Sequence, residues 1–250
     1  MNLEELLRTR FTLREMVPYR QLFVDYYQGP IDLGNNKLDF VSLTEHTDKL
    51  LREYPLLFDE VLPVIYDVNV NLAESVNTDA ADPKNITLKY DFLYRAAETA
   101  RLIFETGTGN KKADIQWGEA SYNCFLQVGH GVESESKYRA ARAYQKAGVT
   151  AMKLFEISGN LKWLSRSMSS YNYAAFLMLD VNEKESAYLY AKTAQRASEL
   201  YDRTGSPGVL KTGIDACNIF FSYYKMNPVA DLATVNREAK SSWRVLTSKK

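Results

Sequence analysis

Three stretches decide the fold of this chain: YRAAETARLIFETG at 94–107, YQKAGVTAMKLFEISG at 144–159 and YAKTAQRASELYDRTG at 190–205. Each stretch ends at a glycine and places an alanine four residues before an aromatic side chain. A small residue followed one helical turn later by a large one lets a neighbouring helix approach closely and then packs a ring against it. The pairs are Ala100 and Phe104, Ala151 and Phe155, Ala197 and Tyr201, and finally Ala239 and Trp243.

A second element follows each of these stretches and carries an asparagine, in the sequences SYNCF, SYNYA and ACNIF. The asparagines are Asn123, Asn172 and Asn218, which lie 19, 17 and 17 residues beyond the aromatic residues of the first three pairs. The two patterns recur together every 46 to 51 residues. Self-similarity at this period, carried by two helices and two short turns, predicts a stack of helical hairpins.

The chain as a whole is predicted to be all-α, with about ten helices. Apolar residues recur at steps of three and four, and the sustained alternation typical of strands is absent. Gly107, Gly159 and Gly205 have the chemistry of helix ends, and Pro63 is expected to kink or restart the helix that contains it. The predicted helices cover residues 12–28, 42–54, 56–76, 87–106, 112–128, 135–157, 161–179, 184–204, 208–225 and 229–247.

The repeated units resemble the tetratricopeptide-repeat superfamily. Ala-x3-aromatic is the signature of that motif's second helix, and YN-x-A is similar to the NNLA stretch of kinesin-light-chain-like repeats. The units here are longer than those of the family. The resemblance implies a right-handed stack of antiparallel helical hairpins, with an N-terminal helical segment at 1–41 packing on a repeat domain at 42–250 that ends in a capping helix.

The same resemblance implies that the asparagine-bearing helices line a concave face and bind a peptide or protein segment. An asparagine side chain offers two donors and an acceptor, so it can pair with a passing backbone whatever the ligand's side chains are. In the alternative interpretation, the asparagines form hydrogen bonds across the seams between helices. The residues expected to bind the partner are Asn123, Gln127, Arg166, Asn172, Asp215, Asn218 and Lys225.

Charge is unevenly distributed, although 31 basic and 31 acidic residues give a net charge of zero. Residues 137–166 hold seven bases and one acid, and residues 39–82 hold ten acids and two bases. The basic stretch offers an alternative function in nucleic-acid or polyanion binding, unless it is an ordinary solvated face. The acidic stretch also allows head-to-tail association of copies. The residues of this basic stripe are Arg139, Arg142, Lys146, Lys153 and Lys162.

Catalytic and cofactor-binding motifs are absent from the sequence, and its two histidines and two cysteines lack metal-ligand spacing. We therefore expect no catalytic residue, no metal and no cofactor, and interpret the cysteines and the large aromatic residues as packing residues. No apolar run reaches membrane-spanning length, and the first residues, MNLEELLRTR, lack the apolar stretch of a signal peptide, so we expect no secretion. The sequence predicts a cytoplasmic, non-enzymatic protein-binding scaffold without a membrane partner.

Overall fold

The computed structural model of this protein describes residues 58–76, 83–228 and 232–248. These residues form eight helices and no strand, which confirms the predicted all-α fold. The predicted helices at 12–28 and 42–54 lie outside the described residues. The observed helices are α1 (Phe58–Ser75), α2 (Pro83–Thr106), α3 (Lys111–Val132), α4 (Lys137–Ser158), α5 (Leu161–Met178), α6 (Glu183–Thr204), α7 (Pro207–Met226) and α8 (Ala233–Ser248).

The chain divides into two compact units, residues 1–68 and 69–250. The described part of the first unit is the beginning of α1, residues 58–68. The second unit contains the end of α1 and the other seven described helices. The predicted boundary between residues 41 and 42 falls outside the described residues and stays a prediction.

Glycines end two of the repeated helices as the sequence predicts. Gly159 follows α4 with φ of 69° and Gly205 follows α6 with φ of 62°. Their backbone N–H groups donate to the carbonyls of Phe155 and Tyr201 at 2.7 and 2.8 Å. Because only glycine adopts this left-handed conformation without strain, these positions stop the helix where the hairpin must turn.

Helix α3 is longer than predicted, because it continues past residue 128 to Val132. The extra turn contains Gly129 and Gly131. A Cβ atom at Gly129 would lie 2.8 Å from the ring of Tyr144, and one at Gly131 would overlap the ring of Tyr90. These glycines therefore make room for rings from neighbouring helices rather than ending α3.

Three other predicted helices also differ from the structure. Helix α1 contains Pro63 and does not restart there, since the proline lies in its first two turns, where the missing N–H disturbs few helical bonds. Helix α2 begins at Pro83 rather than at residue 87, and proline is favoured at a first helical position. Helix α8 begins at Ala233, four residues later than predicted.

Helices α2 to α8 form two rows within the second unit. Consecutive helices pack against one another, and α6 also contacts α8. Ion pairs link α2 to α4, α4 to α6 and α6 to α8. The ring of Tyr122 in α3 contacts that of Trp163 in α5, with centroids 5.3 Å apart. We call α2, α4, α6 and α8 the even row, and α3, α5 and α7 the odd row.

The alanines of the repeated motif lie in the core of the second unit. Ala100, Ala151, Ala197 and Ala239 are completely buried. A Cβ atom at Gly213 in α7 would lie 2.8 Å from the Cβ of Ala197 in α6, so the two backbones meet closely there. The alanines thus mark close contacts between helices, as the sequence predicts, and the protein has a helical repeat fold.

Candidate functional site

The three asparagines lie on the odd row, one in each helix. Asn123 and Asn218 are exposed, and Asn172 is half-buried. Their side-chain amides form no hydrogen bond with any described residue. Their donors and acceptors are therefore available to a ligand as far as the described chain is concerned, and their binding role stays a prediction.

Serines, rather than asparagines, donate hydrogen bonds to backbone carbonyls across the two rows. The hydroxyl of Ser121 donates to the carbonyl of Ala97 at 2.9 Å, and that of Ser167 donates to the carbonyl of Gly148 at 2.7 Å. Both serines are buried. A buried hydroxyl needs a partner, and a carbonyl on the facing helix supplies one.

The other residues predicted to bind a partner fall into two groups. Arg166 is half-buried, with its guanidinium 5.3 Å from the ring centre of Tyr122 and 4.6 Å from that of Trp163. These cation–π contacts join α5 to α3. The remaining residues are exposed and have no side-chain partner among the described residues: Gln127, Asp215 and Lys225.

A groove of about 350 Å³ lies between the end of α5, the beginning of α6 and the second half of α7. Leu179, Ile219, Tyr223 and Met226 line it with apolar surface. Asn218 also lines it, and among the predicted partner-binding residues it alone does so. We call this feature the apolar groove.

Six exposed hydrophobic side chains lie on α5, the turn after it and α7, and three of them, Leu179, Ile219 and Met226, line the apolar groove. Among the described residues, eight large hydrophobic side chains are exposed, and only Tyr138 and Ile157 of these lie on α4. Phe176 is 61% and Met226 73% exposed. Adjoining exposed apolar residues are typical of binding sites, whereas isolated ones are ordinary. The six that form this apolar patch are Tyr173, Phe176, Leu179, Val181, Ile219 and Met226.

The apolar patch is not among the sequence predictions, because large rings at helical spacing are typical of packing residues. A signal was nevertheless present in α5. Ser169, Tyr173 and Phe176 follow one another at steps of four and three, so they share a helix face. This face carries the polar Ser169 beside the two rings, and all three residues are exposed.

The predicted basic stripe is engaged in ion pairs with neighbouring helices. Acids of α2 and bases of α4, each spaced by seven residues, meet in what we call the acid–base ladder. The pairs are Asp91 with Arg139, Glu98 with Lys146 at 3.0 Å, and Glu105 with Lys153 at 2.6 Å.

The two remaining residues of the stripe also have partners within the chain. Arg142 pairs with Glu185 of α6, and the ammonium of Lys162 lies 4.8 Å from the ring centre of Trp163. Nucleic-acid binding through the stripe stays a prediction. It would require phosphates to replace the carboxylates that now contact Arg139, Lys146 and the other bases of α4.

Asp91 is the most buried carboxyl of the acid–base ladder, with 9% of its side chain exposed. Burial raises the pKa of this carboxyl above its usual range, and the guanidinium of Arg139 acts in the opposite direction. The side chain of Arg139 is 33% exposed. The ladder therefore contains one largely buried ion pair whose two charges depend on each other.

A cluster of polar and aromatic side chains joins the end of α3 to α4 and α5. The Nδ1 atom of His130 lies 2.8 Å from the hydroxyl of Tyr144, and Tyr173 donates to a carboxylate oxygen of Glu133 at 2.8 Å. The rings of the two tyrosines meet edge to face at 4.8 Å. Burial raises the pKa of Tyr144, so its hydroxyl keeps its proton and bonds to the imidazole.

The described residues contain no group of three or more His, Cys, Asp or Glu side chains that could hold a metal ion. Both cysteines, Cys124 and Cys217, are buried, as predicted, and they form no disulfide bond with each other. Burial raises the pKa of the Cys217 thiol to about 12. Within the described parts of the chain, every helix is too short or too polar to cross a membrane.

Comparison with known proteins finds similarity only at the level of the fold. The chain matches no protein-family model and no curated protein. A structure described as "DHF58 filament" is 15% identical, with a TM-score of 0.47, over 81% of this chain and 96% of its own. The crystal structure of the de novo designed helical repeat protein DHR64 is also 15% identical, with a TM-score of 0.40, over 77% of this chain and 96% of its own. The tetratricopeptide resemblance therefore stays a prediction.

Proposed function

We propose that this protein is a non-enzymatic interaction module, and that it binds a peptide segment of a partner protein at the apolar patch. The observation that carries the proposal is the concentration of exposed apolar side chains around a groove that also contains Asn218. Removing such a surface from water on binding contributes roughly 25 cal/mol per Å² of apolar area. An apolar side chain of the peptide would enter the groove between Leu179 and Ile219.

The polar residues of the groove indicate the chemistry of the peptide. Glu183 is the one charged residue lining the groove, and it has no ion pair with a described residue. A lysine or arginine beside the apolar anchor of the peptide would complement this carboxylate. Asn218 would pair with the peptide backbone, since its amide supplies both donors and an acceptor. The proposed ligand is therefore an apolar anchor flanked by a basic residue.

Replacing Phe176 and Met226 with aspartate is expected to weaken peptide binding by about tenfold or more, because carboxylates remove apolar contact area from the patch. The test begins with a random peptide library displayed on phage and selected on the wild-type protein. Selected peptides are then synthesised and titrated against F176D/M226D by fluorescence anisotropy. We expect them to share an apolar residue next to a basic one.

The matched control is Ile157→Asp, which changes an exposed apolar residue of α4 outside the patch. This variant should bind the selected peptides as the wild type does. All variants should keep the wild-type melting temperature, because exposed positions tolerate substitution within about 0.5 kcal/mol. Failure to select any peptide, or equal binding by F176D/M226D, would count against the proposed site.

Asn218→Ala is expected to lower the affinity for the selected peptides by about fivefold, which is the effect of losing one hydrogen bond worth about 1 kcal/mol. Asn123→Ala should leave their affinity unchanged, because Asn123 lies outside the groove. Neither substitution should lower the melting temperature, since neither amide bonds to a described residue. A large loss of stability would instead support the seam interpretation of the asparagines.

A further inference from the structure

The acid–base ladder defines which positions of an even-row helix face the next helix of that row. On α2, Asp91 lies nine residues before the motif alanine Ala100, and Glu98 lies two residues before it. Glu105 lies five residues after the same alanine. All three contact bases of α4. We call these three positions the forward face of an even-row helix.

Helix α4 meets α6 through one of the same positions. Arg142 lies nine residues before Ala151, which is the forward position that Asp91 occupies in α2. Arg142 pairs with Glu185, which lies twelve residues before Ala197. In the same way, Asp91 pairs with Arg139, which lies twelve residues before Ala151. The forward face is therefore a property of the repeat and not of a single helix.

Helix α6 presents its forward face to α8. Gln195 and Asp202 lie two residues before and five residues after Ala197. They line a cleft of about 420 Å³ whose other wall includes Ser241 and Ser248 of α8. The next forward face along the row belongs to α8, which is the last described helix.

The forward face of α8 carries two arginines. Arg237 and Arg244 lie two residues before and five residues after Ala239, the positions that two glutamates occupy in α2. Both arginines are exposed, as is Lys240 between them. None of the three has an ion pair or side-chain hydrogen bond with a described residue. Helix α8 thus presents positive charge at positions where α2 presents carboxylates.

We propose that the forward face of α8 binds a helix of a partner protein that carries two carboxylates seven residues apart. Seven residues span about 10.5 Å along a helix, so carboxylates at that spacing on a parallel or antiparallel helix match Arg237 and Arg244. The bound helix would extend the even row as α4 extends it beyond α2. This surface is separate from the apolar groove of the proposed function.

The charge pattern favours an acidic helix over a membrane. The apolar side of α8 is occupied, because Val235, Ala239 and Leu246 are buried in the core of the repeat. Insertion of α8 into a bilayer would require this packing to open. A helix with regularly spaced acids needs no such change, because it meets the arginines where they already are.

The test uses two fluorescein-labelled, alanine-rich helical peptides of identical composition. One carries glutamates at positions i, i+7 and i+14, and the other distributes them around the helix. We expect the first peptide to bind the wild-type protein about tenfold more tightly than the second by fluorescence anisotropy at low salt. Replacing Arg237 and Arg244 with glutamate should lower the affinity for the first peptide by about tenfold or more, because the new carboxylates repel the glutamates of the peptide.

The control for charge is K111E/K112E, which reverses two exposed, unpaired lysines at the beginning of α3 and should leave binding unchanged. A peptide with lysines at the heptad positions should bind R237E/R244E and not the wild type. Circular dichroism and melting temperature establish that each variant is folded.

Several outcomes would overturn this inference. The inference would be wrong if the two peptides bound with equal affinity, if neither bound, or if a twenty-nucleotide oligo-dT bound more tightly. Each of these results would show that the forward face of α8 does not recognise carboxylates spaced along a helix. Association of the protein with itself that depends on concentration and is lost in R237E/R244E would make a second copy the occupant. Rescue of R237E/R244E by the lysine peptide is the result that supports a helix as the ligand.

Discussion

Arg139→Met is expected to lower the free energy of unfolding by about 3 kcal/mol at pH 7. The substitution leaves the largely buried carboxylate of Asp91 without the guanidinium that contacts it. Removing one partner of a buried ion pair is costly because the remaining charge has lost its hydration and gained nothing in return. Urea denaturation followed by circular dichroism measures the effect.

The cost of Arg139→Met should depend on pH in a defined direction. Burial raises the pKa of Asp91 in the folded protein, and Arg139 opposes that shift, so the pKa rises further without the arginine. A carboxyl whose pKa is raised by folding stabilises the fold below its unfolded pKa of about 3.9, and this contribution is lost as pH rises through the folded pKa. The destabilisation should therefore be small near pH 4 and grow towards pH 7.

Two companion variants isolate the buried charge. The double variant D91L/R139M removes both charges and should recover to within about 1 kcal/mol of the wild type. Lys153→Met breaks an exposed pair of the same ladder, and Glu105 keeps a second partner in Arg101 at 2.6 Å. It should cost less than about 1 kcal/mol at every pH. Equal, pH-independent costs for R139M and K153M would refute the buried-charge explanation.

The fold could be predicted because its determinants are local and repeated. An alanine and an aromatic one turn apart, followed by a glycine, specify a close helix contact and a helix end within about four turns of chain. Ala151, Phe155 and Gly159 show this, since the first two are buried and the glycine ends α4. Gly129 shows the limit of the rule, because its role depends on a ring from another helix.

The candidate site could be predicted only in part, because exposure depends on neighbours that helical periodicity does not identify. Asn218 was selected from its polar face and does line the groove. Phe176 and Met226 were not selected, since an exposed aromatic residue and a buried one have the same spacing. The difference arises because no described helix covers that end of α5 and α7.

The basic stripe shows a second limit of sequence analysis. Four of its bases share one face of α4 in the sequence pattern, whereas in the structure the partners of Arg139, Lys146 and Lys153 lie 48 residues away in the chain. That separation is close to the repeat length, so aligning the repeats by charge as well as by alanine would have paired them. Long-range charge pairs are visible in a sequence only after the repeat has been established.

Phe220→Ala is expected to lower the free energy of unfolding by about 4 kcal/mol, because it removes a fully buried ring and leaves a cavity. Phe220 packs against Phe221 and Tyr224 in α7, with ring centroids 5.6 and 5.9 Å apart. Its neighbour in sequence, Ile219, lines the apolar groove. The loss of the Phe220 ring should therefore also weaken the binding of the peptides selected on the wild-type protein. Chemical denaturation and anisotropy measure the two effects.

A comparison of F220A with F176A distinguishes a residue that supports the groove from one that contacts the ligand. Phe176 is 61% exposed, so its truncation should change the free energy of unfolding by less than about 0.5 kcal/mol. The same truncation should still weaken the binding of the peptide. Phe220→Leu retains most of the buried volume and should lie between F220A and the wild type in stability. If F176A lost stability and F220A kept it, the burial assigned to these two rings would be wrong. If both kept full peptide affinity, α7 and the end of α5 would not form the binding surface.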